Sequence, residues 1–404
     1  MTIRESETTK GGADDCSHPL AKASVASVRA AVMKGPGRVE VEEFPRPEVE
    51  RGAVLMQVLF SGICGTDKHT FRGETIQYAG TPHERRLEYP LICGHENVGV
   101  VADTGGDVLA TDGRPLRPGD RIVPGANVAC GECWFCREGF PYYACERLED
   151  YGNSLNAARP PHLFGGWAEL MYLLPGTPLF RVPDELPSEV AVLTEVMAVT
   201  HGLDNAAQLP LPHAFRPGSS VAVIGVGPLG LCHLIKARFL RCGELIAVDL
   251  LPSRLRVAER FGATLTIEAS AVPREGRIEL VRQQTGGRGA DVVIDCSGVA
   301  ETFPEALALV RWGGTVIEAG AFVDLGPVPV NPNRDICTRN ICVLGVGGEA
   351  ATSYVPAMKA MAAHLDELPL RDVVTHRLPL ERAGEAIELS QSDAAMKVVI
   401  VPNG

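Results

Sequence analysis

The sequence predicts an α/β chain of two domains, a β-rich, barrel-like domain followed by a doubly wound parallel sheet. Three observations predict it. From Val28 to about Leu193 the chain is rich in Gly, Pro and short β-branched runs, the texture of many short strands and turns. Beyond Val190, short apolar strands alternate with helical patterns, as parallel βαβ units do. The first strand of that alternation also runs straight into a glycine-rich turn that opens a helix.

The elements follow in order. Residues 1–28 are polar, carry Glu5, Glu7, Asp14 and Asp15, and lack the apolar core of a secretory signal. They read as a flexible tail, or as an arm that docks on a partner subunit. Residues 29–193 form the first domain. Strands are expected at 53–59 and 98–101, and the turn Arg117-Pro118-Gly119-Asp120 feeds another at 121–123. A helix is expected over 191–207. Residues 194–346 form the second domain, with strands at 220–225, 245–249, 291–295, 315–319 and 341–344 and helices at 228–241 and 253–261. Residues 347–404 carry a helix at 357–364, an extended stretch at 373–378 and a strand at 397–401 that returns to the first domain.

Bulk properties exclude several function classes. The chain has 404 residues, 38 basic against 50 acidic, for a net charge of −12. Such a surface repels phosphate backbones and anionic lipid, so neither nucleic acid nor membrane is an expected partner. No apolar run approaches the roughly 18 residues a bilayer span needs. A cytoplasmic location is expected, where the 12 cysteines stay as thiols or bind metal.

Gly225-Val226-Gly227-Pro228-Leu229-Gly230 is a GxGxxG with a strand before it, a helix after it and an acidic residue, Asp249, ending the next strand. Gly225 permits the tight turn, Gly227 lets backbone approach a pyrophosphate, and Gly230 lets helix and strand pack closely. Pro228 and Leu229 open the helix whose amides and dipole favour the anion. The Asp249 carboxylate can accept the ribose hydroxyls and repels a 2′-phosphate, which favours NAD over NADP. Arg254 nearby pulls the other way, toward a phosphate, or stacks on adenine. Asp295, Cys296, Ser297 and Gly320 end strands on the same side, where Ser297 and Gly320 can contact the ribose or nicotinamide.

Four cysteines, Cys130-x2-Cys133-x2-Cys136-x8-Cys145, have the spacing of a closed tetrahedral zinc site. Four thiolates leave no open position, so this ion is structural, and Gly131 and Gly139 free the backbone to wrap it. Two further motifs precede it, Cys64-Gly65-Thr66-Asp67-Lys68-His69 and Gly94-His95-Glu96-Asn97-Val98-Gly99. Cys64 and His95 suit a second zinc, and Glu96 can be a third ligand. Singly, each residue reads as a buried small side chain or a hydrogen-bonded core histidine.

Together with Lys397-Val398-Val399-Ile400 near the C-terminus, these motifs resemble the zinc-containing medium-chain dehydrogenase/reductase family, which includes alcohol, sorbitol and threonine dehydrogenases. The resemblance runs from about Val28 to the end. It implies a GroES-like catalytic domain, a Rossmann domain, two zinc ions per chain and NAD. It also implies hydride transfer between nicotinamide and a secondary alcohol or polyol, in a homodimer or homotetramer. By the same resemblance Cys64 and His95 bind the catalytic zinc, Glu96 ligates it or exchanges with water, and Glu195 at the domain boundary is the remaining ligand. His201 is the fallback, because Val196 stands where the family often has Pro and the following His comes one residue early. Thr66 takes the alcohol proton and His69 passes it toward solvent. Asp67 supports a zinc-bound imidazole or nearby backbone.

The chain departs from the family pattern in the long stretch 71–90, with His83, Glu84, Arg85 and Arg86, which either shapes the substrate mouth or is a solvated loop. Residues 147–166 are also extended, and the lobe has eight residues before its last Cys where seven is more familiar. His376 and Lys397 read as surface packing and hydrogen bonding. A ketone or aldehyde reductase of the same family, and a retired nucleotide-binding relative, are the competing readings. The substrate itself is not legible.

Overall fold

The computed structural model describes residues 26–81 and 83–404. The expected tail lies outside them as far as residue 25, and the first strand begins at Ser27. Among the described residues no helix is long and apolar enough to cross a membrane, and no described cysteine is in a disulfide.

The N-terminal half is built from β1 (Ser27–Gly35), β2 (Arg38–Pro45), β3 (Val54–Gly62), helix α1 (Gly65–Phe71), β4 (Ile76–Gln77), β5 (Arg85–Arg86), β6 (Leu91–Ile92), β7 (Glu96–Thr104), β8 (Arg121–Pro124), β9 (Asn127–Val128), helix α2 (Trp134–Arg137), β10 (Glu149–Asp150), β11 (Leu170–Leu173) and β12 (Leu179–Arg181). One sheet runs β2-β1-β6. A second is seven-stranded, and its strand β3 pairs β7 and β11 antiparallel. β3 reads VLMQVLFSG with little polar alternation because both its faces are covered, by Trp167, Tyr172 and their neighbours in one apolar core. The expected strands at 53–59, 98–101 and 121–123 lie within β3, β7 and β8.

The chain then enters the second sheet through α3 (Ser188–Ala191), α4 (Thr194–Ala198) and α5 (His201–Gln208). The expected single helix over 191–207 is thus three short ones. Thr194 Oγ1 donates to Ala191 O at 2.6 Å and Thr200 Oγ1 donates to Met197 O at 2.7 Å. These threonine hydroxyls compete for backbone carbonyls and turn the axis at each junction.

The second sheet has the parallel strands β13 (Val221–Ile224), β14 (Leu245–Asp249), β15 (Leu265–Glu268), β16 (Ala290–Asp295), β17 (Val310–Glu318) and β18 (Cys342–Gly345). They are interleaved with α6 (Pro228–Phe239), α7 (Pro252–Arg260), α8 (Arg274–Gln284) and α9 (Thr302–Leu309). Its order, β15-β14-β13-β16-β17-β18, is the doubly wound one, with the switch point between β13 and β16. Register pairs Ile224 with Asp295 and Asp295 with Glu318, so the carboxyl ends of these strands form one rim.

The final segment has α10 (Ala351–Ala363), β19 (Val374–Pro379), α11 (Ala383–Ser390) and β20 (Lys397–Val401). Helix α10 starts six residues before the expected 357 and carries Pro356 inside it, which gives up one backbone hydrogen bond. Strand β20 pairs β19 and crosses back to β3, Val399 opposite Gly62.

Candidate active site

Strand register builds the site. Gly62 at the end of β3 pairs antiparallel with Glu96 at the start of β7. The chain leaving one strand therefore lies beside the chain entering the other, which sets Cys64 and His95 side by side. The His95 ring rests against the Cys64 thiol, with Asp67 and Glu195 as its other charged neighbours. Burial alone would lower the His95 pKa, but Cys64, Asp67 and Glu195 outweigh it and hold the imidazole well above its ordinary value. His95 Nδ1 is buried with no hydrogen-bond partner. A buried imidazole nitrogen without a partner, beside a thiol and a carboxylate, is the donor set a zinc ion requires.

Asp67 ties the two motifs together. Its Oδ2 accepts Cys64 N at 2.8 Å and its Oδ1 accepts Gly94 N at 3.3 Å, and the side chain is fully buried. Gly94 has φ +91°, and a Cβ there would sit 2.3 Å from Ser61 Oγ and 2.6 Å from Trp167 Cδ1, so only glycine fits. Thr66 is buried on the first turn of α1, its Oγ1 3.9 Å from Cys64 Sγ. His69 lies on the same helix, three residues on. Its Nδ1 meets the Glu74 carboxylate and lies 2.9 Å from Arg72.

Glu195 sits buried on α4, and its carboxyl is raised well above the usual range, first by burial and then by the nearby Glu349 carboxylate. His201 is otherwise engaged. Its Nε2 donates to Gly348 O at 3.0 Å, and its Nδ1 accepts Asn205 Nδ2 at 3.1 Å. Glu96 forms a fully buried ion pair with Lys397, whose Nζ also donates to Ile63 O at 3.0 Å. Lys397 is therefore no surface residue, contrary to the sequence expectation. His376 fits that expectation, with its Nδ1 2.9 Å from Thr375 Oγ1 at the surface.

The nucleotide side lies next door. Cys232, in the second turn of α6, feels the charges of Lys397, Glu96 and Glu195, so the Cys64–His95–Glu195 group borders the helix opened by the glycine turn. Gly225 has φ +81°. A Cβ on Gly230 would lie 1.8 Å from Gly225 O, whereas one on Gly227 meets nothing nearer than an Arg254 nitrogen at 3.7 Å. Gly230 thus serves close packing, and Gly227 leaves its backbone open to a ligand. Pro228 and Leu229 form the first turn of α6. Asp249 Oδ2 accepts Val226 N at 2.6 Å, and its Oδ1 accepts Leu251 N at 2.9 Å. Arg254 approaches that carboxylate to 3.9 Å. Ser297 Oγ bonds Thr302 Oγ1 at 2.6 Å, and the Gly320 backbone runs hard against Cys296 and Ser297.

The lobe closes as its spacing predicts. Cys130, Cys133, Cys136 and Cys145 bring their sulfurs within 4.8 Å of one another. Cys133 and Cys136 are 3.4 Å apart and Cys130 and Cys136 3.9 Å, close to the roughly 3.8 Å that a tetrahedron of 2.3 Å bonds requires. Backbone amides of Cys133 and Cys130 donate to Cys130 and Cys145 sulfur, both at 3.3 Å, as suits thiolates. Among the described residues this is the one group of three or more such ligand atoms drawn so close. Cys64, His95 and Glu195 are set more widely. The long stretch 71–90 docks through Arg85, which bonds Gln77, Leu148 O and Asp150. Sequence reasoning missed Glu349 and the burial of Lys397.

A dinucleotide turn beside a Cys–His–Glu group, with a separate four-thiolate lobe, defines a zinc- and nicotinamide-dependent oxidoreductase. Comparison with known proteins agrees. Residues 50–184 match the alcohol dehydrogenase GroES-like domain and residues 228–363 the zinc-binding dehydrogenase domain. The 5-exo-hydroxycamphor dehydrogenase of Pseudomonas putida is 31% identical over 92% of this chain and 98% of its own. The sorbitol dehydrogenase of Bacillus subtilis is 30% identical over 93% and 98%. Among solved structures, an alcohol dehydrogenase from Thermotoga maritima superposes with a TM-score of 0.84 at 30% identity, covering 93% of this chain and 99% of its own. The chain belongs to the zinc-containing medium-chain dehydrogenase/reductase family.

Proposed function

We propose that the protein is an NAD-dependent zinc alcohol dehydrogenase that moves a hydride between a secondary alcohol or polyol and nicotinamide. The observation that carries this reading is the meeting of Cys64, His95 and Glu195 beside α6, on the border of the dinucleotide turn. Cys64, His95 and Glu195 would hold one zinc ion, and Cys130, Cys133, Cys136 and Cys145 a second. Glu96, ion-paired with Lys397, serves as a buried counter-charge beside the first. Bound there, zinc supplies the Lewis acidity that stabilises charge on the reacting oxygen. The nicotinamide ring supplies the hydride acceptor.

The chain's own groups do the rest. Asp67 fixes the Cys64 and Gly94 backbones, so the ligand pair is preorganised. Thr66 takes the proton from the alcohol oxygen, and His69, with Glu74 and Arg72 at the outer end of α1, returns it to water. Asp249 favours NAD, since both its oxygens are fixed by backbone amides on the adenosine side and their charge opposes a 2′-phosphate. A Sinorhizobium meliloti structure with NADP bound, 28% identical with a TM-score of 0.79, makes NADP the cofactor to assay against NAD. A cytoplasmic homo-oligomer working on a small alcohol or ketone completes the reading.

Metal analysis tests it together with turnover. Wild type should carry two zinc ions per chain. Cys64→Ser should keep one, still bind NAD, and lose about 10³-fold in kcat, the several kcal/mol a Lewis acid supplies. Full turnover in that variant would refute the reading.

A further inference from the structure

Three polar side chains meet in the core behind the His95 turn, and the chemistry described above uses none of them. Ser61 lies near the end of β3, Asn97 near the start of β7, and Trp167 in the segment before β11. Ser61 and Trp167 are fully buried and Asn97 is 1% exposed. Ser61 Oγ, Asn97 Oδ1 and Trp167 Nε1 each have no hydrogen-bond partner among the described residues. They surround two glycines. A Cβ on Gly94 would lie 2.3 Å from Ser61 Oγ and 2.9 Å from Trp167 Nε1. One on Gly166 would lie 1.7 Å from Asn97 Oδ1 and 2.4 Å from Ser61 Oγ. The hydroxyl thus flanks both the indole N–H and the amide oxygen. The Asn97 amide is held in this sense, because its Nδ2 donates to Gly94 O at 3.0 Å and to Met171 Sδ at 3.4 Å. Ser61 and Asn97 are also paired across the β3–β7 register, which fixes both backbones.

A buried polar atom left unpaired is costly, and three in one place call for a common partner. Their chemistry names it. The indole only donates, the amide oxygen only accepts, and the hydroxyl does either. A cation would leave the indole hydrogen without an acceptor, an anion would face the amide oxygen, and a hydrocarbon would satisfy none of the three. Water accepts from Trp167, donates to Asn97 and takes Ser61 in either sense, and three partners is the usual number for a buried water. We propose that Ser61, Asn97 and Trp167 bind one internal water molecule behind Gly94, and that this water is the fixed support of the Gly94–His95 turn. The turn is otherwise held from its other sides. Gly166 N donates to Gly94 O at 2.8 Å, and Gly94 N donates to Asp67. The water joins β3, β7 and the segment before β11 at the point where the chain turns into His95.

A high-resolution crystal structure of the full chain tests the site. One density peak should lie within hydrogen-bonding distance of all three atoms. A direct chain from the Trp167 indole to Ser61 and from Ser61 to Asn97, with no such peak, overturns the inference. Hydrogen exchange read by mass spectrometry tests the support. Trp167→Phe keeps an aromatic ring and removes the N–H, and Ser61→Ala removes the hydroxyl. Each should speed exchange in the peptide spanning 93–98 by about 10-fold, the loss of one hydrogen bond, while peptides of the doubly wound sheet keep the wild-type rate. The double variant should gain little beyond either single one, because both act through the same water. Where Trp167→Phe loosens the whole chain, Ser61→Ala decides. Wild-type exchange of that peptide in Ser61→Ala, or a double variant in which the two factors multiply, overturns the inference.

Discussion

Replacing Lys397 by Met should cost the protein about 3–5 kcal/mol of stability, because it strands a buried charge. The Lys397 and Glu96 side chains are each 1% exposed and pair with each other. Lys397 also donates to Ile63 O, and Glu96 Oε1 has no donor of its own. Room for the pair comes from Gly62, where a Cβ would lie 2.0 Å from Glu96 Oε2. Methionine fills the lysine's volume but leaves Glu96 without a counter-charge and without water. The attraction within such a pair roughly cancels the cost of burying it, so removing both charges should cost far less than removing one. Lys397→Met/Glu96→Leu should therefore return to within about 1–2 kcal/mol of wild type, about 2–3 kcal/mol better than Lys397→Met alone. Urea unfolding of the zinc-loaded protein, followed by tryptophan emission, reads it. Trp167 is fully buried against Gly94 in the same domain, whereas Trp134 and Trp312 are half or more exposed, so the large emission change reports the relevant core. A loss under 1 kcal/mol for Lys397→Met, or a double variant no better than the single one, would refute the reasoning.

Two further outcomes are expected. Asp249→Ala removes the acceptor for Val226 N and Leu251 N and the charge that opposes a 2′-phosphate. The NADP-to-NAD ratio of kcat/KM should rise by about 10- to 100-fold while NAD affinity falls; a wild type that already prefers NADP would contradict it. Burial, and after it the neighbouring Asp295, raises the Glu318 carboxyl to about 7. The unfolded chain releases that proton near the ordinary value, so this group's contribution to stability falls as pH rises from about 4.5 to 7 and is flat above. Glu318→Gln should remove that slope from a plot of Tm against pH, and identical slopes in the two proteins would show that Glu318 does not set it.

What the sequence disclosed follows from how local each signal is. The glycine turn and the cysteine lobe each lie within sixteen residues, and short spacing fixes geometry almost by itself. Cys64 and His95 were readable as residue types, but their adjacency depends on the Gly62–Glu96 register of two strands. Glu349 was invisible, because its partners Asn127, Tyr142 and Glu195 come from distant segments and none belongs to a motif. Lys397 did carry a signal that was misjudged. A lysine heading the strand KVVIV, otherwise apolar, must either leave the core or bring a counter-charge, and Glu96 was already in view. The helix over 191–207 failed because apolar periodicity does not register threonine hydroxyls that bond their own backbone.

The last strand gives the active site its closure. β20 lies between β3 and β19, with Val399 opposite Gly62, and Ile63 N donates to Val398 O at 3.0 Å. It therefore clamps the segment that carries Cys64. Between β3 and β20 the chain makes the whole doubly wound sheet, so the contacts joining these strands are among the most non-local in the molecule. Loop-closure entropy grows only logarithmically with such separation, so the arrangement costs little stability. It gains a physical link, since the strand that completes the catalytic floor is reached only through the nucleotide-binding half. Glu195 enters from α4 on the way out to that half, and Lys397 and Glu349 lie on the way back. The surroundings of Cys64 and His95 are thus built from both crossings between the domains, and a shift of one domain against the other must move Glu195, Glu349 and Lys397 relative to that pair.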